Sequence, residues 1–412
     1  MPGEVFHSDE MALNVLTPGE VKLSDGRSVE FANLDVAATA PCLDVVAEAV
    51  AELLPWYGSV HRGAGALAER CSREFDEARE TVAEFLGCGE RDTVVFTRNT
   101  TDALNLLAHA LPAGTTVVTF DVEHHANLLP WRDAVRLGVP RSPEAAVAAL
   151  HAVLPTISGP VLVAVTAASN VTGELWPVAA LADVAHLHGA RIAVDIAQLA
   201  PHARVDMAAL GADYVAMSGH KMYAPFGAGV LAGRADWLDA AEPYLAGGGA
   251  TANVSERFDV RWHTGPARHE AGTPNLLGAV ALAAACRTLA NVRHDEEQAL
   301  LARLRAAIAT LPHVEELRLF DAAAPRVGIV SFAVLGAEPG ELGAALGREH
   351  GIGVRVGLFC AHPLTRRLVR EAAARLDPAA PPPGAAIRAS FGIGTAERHV
   401  DRLIDFLGGS SW

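Results

Sequence analysis

From about residue 90 to 235 the chain alternates short apolar, β-rich runs with amphipathic stretches of helical length. Thr93–Phe96, Thr115–Phe120, Val161–Thr166, Arg191–Val194, Ala212–Met217 and Gly229–Ala232 read as strands, several of them apolar throughout and so buried on both faces. Between them Thr100–Ala110, Pro143–Val153 and Pro177–His188 read as helices, the last with proline at its first position and a stop at Gly189. Strand and helix in alternation predict a largely parallel sheet covered by helices, an α/β fold. A longer helix, Ala64–Leu86, precedes this array, with Gly87 as its stop. After about Asn275 the texture changes to Ala/Leu-rich helices, Leu276–Val292 and Glu296–Leu311, and short strands near Val327–Val334 and Ile352–Val356. The expected organisation is an arm over 1–20, a large domain over 21–275 and a smaller α+β domain over 276–412. The Pro-rich stretch Leu376–Ala385 reads as an exposed loop inside that second domain.

Composition narrows the functional classes. The 412 residues are ample for a sizeable core. With Lys+Arg 33 against Asp+Glu 48, the net charge of −15 repels the phosphates of nucleic acids and of acidic membranes. Met1–Met11 carries Glu4, Asp9 and Glu10 without a basic and then apolar run, so no secretory signal is expected. The longest uncharged stretch, His151–Gly173, has a continuous apolar part of only about Val161–Ala168, too short to span a bilayer. Five cysteines (Cys42, Cys71, Cys88, Cys286 and Cys360), without C-x-x-C spacing, suit reduced thiols in a cytoplasmic protein. P-loop, zincin and nucleophile-elbow motifs are missing, and the pairs His124-His125 and His186-x-His188 have no third ligand at metal-site spacing, so no metal is expected.

The informative chemistry begins at Ser218-Gly219-His220-Lys221, straight after a buried strand. A lysine there can be desolvated, its pKa lowered, and a Schiff base to an aldehyde made feasible; a surface lysine ending a strand is the plainer alternative. Upstream, Ile192-Ala193-Val194-Asp195 ends a strand in a carboxylate, which suits either a helix cap or a partner for a protonated ring nitrogen. Gln198 follows as a possible partner of a ring oxygen or a simple helix-start residue. Phe96 to Asp102 joins strand to helix, and its Thr100 and Thr101 hydroxyls and free N–H groups make an anion cradle or an ordinary cap. His124, also after a strand, is either a structural imidazole or a flat ring that stacks on another.

Lysine, strand-end aspartate, phosphate cradle and stacking histidine in one α/β domain describe a pyridoxal phosphate site. The chain resembles the class V aminotransferase superfamily of fold type I, most closely the Suf-type cysteine desulfurases and selenocysteine lyases. The resemblance runs through LDVAATAP at Leu34, SVHRGAGALAER at Ser59, FTRNTTDALNLLA at Phe96, EHHANLLPW at Glu123, SNVTG at Ser169, VDIAQLAPH at Val194, SGHKMYAPFGAGVL at Ser218, EAGTPN at Glu270, VRVGLFCAHP at Val354 and IRAS at Ile387. It implies that Lys221 carries the cofactor and then moves the substrate's α-proton, that Asp195 pairs with the pyridine nitrogen and Gln198 with the ring hydroxyl, and that His124 stacks on the ring. It implies further that Thr100, Thr101, Ser218 and His220 hold the phosphate, with Thr273 reaching in from a second subunit of a homodimer. Asn170 would lie by the ring hydroxyl and the substrate carboxylate, which Arg388 would clamp, with Arg355 nearby.

The same resemblance places Cys360 at the nucleophile, which would take the sulfur of L-cysteine as a persulfide, leave alanine and pass the sulfur to an acceptor. An exposed thiol near positive charge suits this, and Arg355 and His362 are close in sequence. The other four cysteines read as small buried hydrophobes. A C–S or C–Se lyase, an epimerase or an aminotransferase acting on a specialised amino acid is the alternative activity, and a non-catalytic relative the remaining one. Asn99 replaces the usual glycine, Val36 a frequent polar residue and Leu358-Phe359 the paired histidines often before the cysteine. The segment from Cys360 to Arg388 is lengthened by the Pro-rich insert, and Phe391-Gly392-Ile393-Gly394-Thr395 lacks the Tyr-Asn-Thr common there. These departures surround the substrate rather than the cofactor.

Overall fold

A computed structural model describes residues 13–409; most of the expected arm over 1–20, and the segment Met1–Met11, lie outside the described residues. The apolar runs form a seven-stranded sheet: β1 (Asp92–Thr97), β2 (Thr116–Phe120), β3 (Val135–Leu137), β4 (Val161–Thr166), β5 (Arg191–Asp195), β6 (Tyr214–Ser218) and β7 (Gly229–Arg234), in the order β1-β7-β6-β5-β4-β2-β3. Strands β3, β2, β4, β5 and β6 pair in parallel, while β7 runs antiparallel to both β6 and β1. The fold is thus α/β with a mostly parallel sheet. Every residue of β4 and β6 is buried, because helices cover both faces. Gly87, left-handed at φ 66°, ends the long helix Ala66–Leu86 where the sequence places its stop.

A second sheet is antiparallel, in the order β8 (Val314–Glu316), β9 (Ile329–Val334), β11 (Ala386–Ser390), β10 (Arg355–Gly357). Packing divides the chain differently from the expected break at 275/276. Helix Leu276–Leu289 buries Leu276, Ala279, Val280 and Ala283 with Cys71 and Phe75 of Ala66–Leu86, so it belongs to the large layer. At the other end, Ala32–Asn33 pairs in parallel with Ile352–Gly353, and Leu34 sits in the small layer's core. An apolar helix or a two-residue strand carries no mark of the layer it joins, which is why texture alone misplaces both. The expected run Val327–Val334 forms the single strand β9, whereas Ile352–Val356 divides: Ile352–Gly353 pairs with the N-terminal segment and β10 with β11.

The layers are tied by a buried ion network. Arg326 bonds Glu174 at 3.1 Å and Glu316 at 2.8 Å, and Glu174 also accepts the N–H groups of Leu319 and Phe320. Burial raises the Glu174 carboxyl above its ordinary range despite that arginine. Replacing Arg326 by alanine strands this carboxylate and is expected to cost about 3–5 kcal/mol. Denaturant unfolding checks this: the midpoint should fall with the slope unchanged, and a loss under about 1 kcal/mol would refute it.

Candidate active site

Five strand ends converge on one cleft at the carboxyl edge of the parallel sheet, where α/β folds place ligands. Strand β1 leads to Thr100 and Thr101, β2 to His124, β4 to Asn170, β5 to Asp195 and Gln198, and β6 to Ser218, His220 and Lys221. From the small layer β10 brings Arg355, the turn after it Cys360, and β11 Arg388. These side chains line a cavity of about 270 Å³. Every site residue expected from the sequence borders it except Thr273, which is exposed; its neighbours Gly272 and Pro274 line a separate hollow of about 700 Å³ with Arg79 and Glu270.

Close backbone contacts set the cradle. Ser218 Oγ accepts the Thr100 N–H at 2.8 Å and lies 2.7 Å from its Oγ1, tying the lysine strand to the start of helix Thr100–Ala110. Asn99 caps that helix by accepting the Asp102 N–H, and a Cβ on Gly229 would meet the Asn99 backbone at 2.5 Å, so only glycine lets β7 pass behind the cradle.

Burial governs the electrostatics. It pushes Lys221 down to about 8, with Asp195 opposing, while Asp195 itself is raised by burial against the pull of Lys221. His124 is pushed down to about 3 by burial, with Lys221 adding, so its ring is neutral; its Nδ1 accepts the Ala126 N–H at 3.0 Å, which leaves the proton on Nε2. Glu123, fully buried beneath, is pushed up to about 8 by burial and accepts from Thr166 N and Asn127 Nδ2.

Two residues carry roles that the sequence leaves unassigned. Asp35 Oδ1 accepts from Arg388 Nη2 at 3.3 Å, and its Oδ2 lies 3.9 Å from Arg355; a charge inside the apolar run Leu34 to Ala38 was the available signal. Phe359 packs its ring 5.1 Å from the Arg388 guanidinium. Phe359 and Cys360 are both left-handed, at φ 51° and 50°, a strained pair for L-residues. Their carbonyls are held from the large layer: Asn170 Nδ2 donates to Phe359 O at 2.7 Å and His125 N to Cys360 O at 2.7 Å. One N–H of the Asn170 amide is therefore given to the cysteine turn, which leaves its second N–H and its Oδ1 for the cavity, while its backbone carbonyl accepts from Arg388 Nη1. Cys360 is exposed; Cys71 and Cys286 are buried and Cys42 and Cys88 half-buried.

A family model described as aminotransferase class-V matches residues 32–403. The chain belongs to the class V aminotransferase family. A cysteine desulfurase from Klebsiella pneumoniae (strain 342) is 36% identical over 392 residues, covering 91% of this chain and 92% of its own. One from Haloferax volcanii is 35% identical over 409 residues, covering 95% and 91%. Among solved structures, the apo cysteine desulfurase of Thermococcus onnurineus NA1 superposes with TM-score 0.79 at 31% identity, covering 91% of this chain and 93% of that one. The Escherichia coli cysteine desulfurase CsdA in its S-sulfonic acid form gives TM-score 0.76, also at 31% identity, covering 92% and 94%.

The class V cofactor is pyridoxal phosphate, and the residues present fit it. Gln198 donates its Nε2 to Ala37 O, which leaves a buried Oε1 without a partner, an acceptor facing a ring hydroxyl's chemistry; Arg388 Nε is likewise buried and unpartnered. A half-buried, desolvated lysine, a buried carboxylate near it and a hydroxyl-lined helix start complete the donor set for an aldehyde, a pyridine nitrogen and a phosphate. Covalent loading should track the neutral form of Lys221, about a tenth of the molecules at pH 7. Reincorporation of pyridoxal phosphate into stripped protein, followed by visible absorbance, is expected to speed up with pH and to level off above about pH 8. A flat profile from pH 6 to 9 would contradict this.

Proposed function

We propose that this enzyme is a pyridoxal-phosphate-dependent cysteine desulfurase that converts L-cysteine to L-alanine and carries the sulfur on Cys360 as a persulfide. The observation that carries the reading is the exposed Cys360 at the rim of a cavity whose floor holds Lys221, in a class V chain similar along nine-tenths of its length to cysteine desulfurases.

When bound, pyridoxal phosphate supplies the electron sink for ionising the substrate's Cα–H bond. Lys221 would hold the cofactor and, as a free amine, move that proton. Asp195 would keep the ring nitrogen protonated, Gln198 would meet the ring hydroxyl, and the neutral His124 ring would stack on it. Thr100, Thr101, Ser218 and His220 would take the phosphate. Arg388, held by Asn170 O and resting on Phe359, clamps the substrate carboxylate with Arg355 beside it, Asp35 serving as their counter-charge until substrate arrives. The Cys360 thiolate attacks the substrate's sulfur; a sulfur–sulfur bond forms, the carbon–sulfur bond breaks, and its electron pair takes up a proton on the carbon that becomes alanine's methyl group.

The exposed Thr273 beside its own hollow supports a homodimer in which each subunit completes the other's phosphate site. Five free cysteines support a cytoplasmic enzyme, and the exposed Cys360 supports a sulfur-acceptor partner; among the described residues no helix is long and apolar enough to cross a membrane. Incubation of the loaded enzyme with L-cysteine tests the activity: alanine should form with a persulfide on Cys360. Untouched cysteine, with another amino acid consumed, would overturn the substrate.

A further inference from the structure

The helix His362–Leu376 begins two residues after Cys360 and carries Arg366, Arg367, Arg370 and Arg375 against a single acid, Glu371. Four of the chain's 33 basic residues thus fall within fifteen positions of a protein whose net charge is −15. Glu371 is taken by Arg367 at 2.8 Å, and Glu315 is shared by Arg375 at 2.6 Å and Arg318 at 2.8 Å. Arg366 and Arg370 are exposed, one turn apart, and form no ion pair among the described residues. Like charges at that spacing disfavour a helix, so folding does not account for them. Across the seam, Arg141 also has no ion pair among the described residues, and with Arg318, Arg367 and Arg375 it lines a polar hollow of about 210 Å³. A positive strip therefore runs from the exposed Cys360 along the helix to this hollow. From His362 to Arg375 it spans about 20 Å at 1.5 Å per residue, within the footprint of about 800 Å² that one protein partner covers.

We propose that this strip, with Cys360 at one end, docks an acidic face of the protein that accepts the sulfur. The inference rests on the desulfurase reading and specifies its partner. An acidic partner is repelled by most of this chain's surface and attracted here, so the strip selects the one orientation that brings the partner's thiol to Cys360. In the transfer, the partner's thiolate attacks the outer sulfur of the Cys360 persulfide; the new sulfur–sulfur bond forms on the partner, the old one breaks, and Cys360 leaves as a thiolate, with no net oxidation.

Two synthetic peptides of equal length, each with one cysteine, one flanked by Asp and Glu and the other by Lys and Arg, are the probes. Their cysteine-to-serine forms report binding to the holoenzyme by fluorescence anisotropy, and the cysteine forms report sulfur uptake from the persulfidated enzyme by mass spectrometry. The acidic peptide is expected to bind and to take sulfur at least tenfold better at low salt, with the advantage shrinking as salt rises. The R366E/R370E variant should abolish this preference while alanine release with a small thiol as acceptor stays unchanged. Equal handling of the two peptides, an unaltered preference in the variant, or tighter binding of a single-stranded oligonucleotide than of the acidic peptide would overturn the proposal. If L-cysteine yields neither alanine nor persulfide, the desulfurase reading fails, while the anisotropy comparison still decides the docking face.

Discussion

Cys360→Ala holoenzyme is expected to bind pyridoxal phosphate with an unchanged visible spectrum and yet to form alanine from L-cysteine about 10³-fold more slowly or worse, with no persulfide detectable by mass. The nucleophile is the one group that touches the departing sulfur, and no other described cysteine borders the cavity. The spectrum should hold because Cys360 lies on a turn of the small layer, whereas Lys221, Asp195 and the cradle are built on the sheet. Undiminished alanine formation in this variant would show that the carbon–sulfur bond is cleaved without capture of the sulfur by Cys360, and the enzyme would be a C–S or C–Se lyase that uses the same cofactor.

Lys221→Ala should be more severe and different in kind. Covalent loading is lost, and the amine that moves the α-proton is lost with it, a contribution of about 10²–10⁴ for general base catalysis alone. The cradle at Thr100 and Ser218 does not depend on the lysine, so non-covalent cofactor binding should persist. A small primary amine in the buffer is expected to restore part of the turnover, because it replaces the missing chemistry without replacing the position. Full activity in this variant would remove Lys221 from the mechanism; loss of the fold, detected by circular dichroism, would instead show that the lysine is structural.

Six strands of the large sheet were legible because several are apolar on both faces and because Gly87 and Gly189 mark helix ends; the short, half-exposed edge strand Val135–Leu137 was not, since three residues carry too little pattern. The convergence of Thr100, Asp195, Ser218 and Lys221 on one cleft was foreshadowed because each lies at or just past a strand end within a short motif, whereas Thr273 lies away from that cleft. What stayed hidden depends on distance along the chain. The contact of Asp35 with Arg388 joins residues 353 apart, and nothing in Leu34–Ala38 announces that its aspartate faces an arginine of β11. The commitment of Asn170 to Phe359, 189 residues on, is equally invisible, since an asparagine at a strand end suits a ligand as well as a backbone carbonyl. The helix Leu276–Leu289 went to the wrong layer because alanine-rich faces pack against almost anything.

The pairing of Ala32–Asn33 with Ile352–Gly353 has a consequence for how the enzyme is made. At about 5–20 residues per second, a ribosome needs roughly 16–64 s to travel between those two strands. During that interval Ala32–Asn33 lacks its strand partner, although Ala37 can already meet Gln198, and Arg355, Cys360 and Arg388 do not yet exist. The cofactor pocket on the sheet can assemble meanwhile. Sulfur chemistry therefore waits for the last tenth or so of the chain, and an unfinished polypeptide holds a cofactor site without a nucleophile.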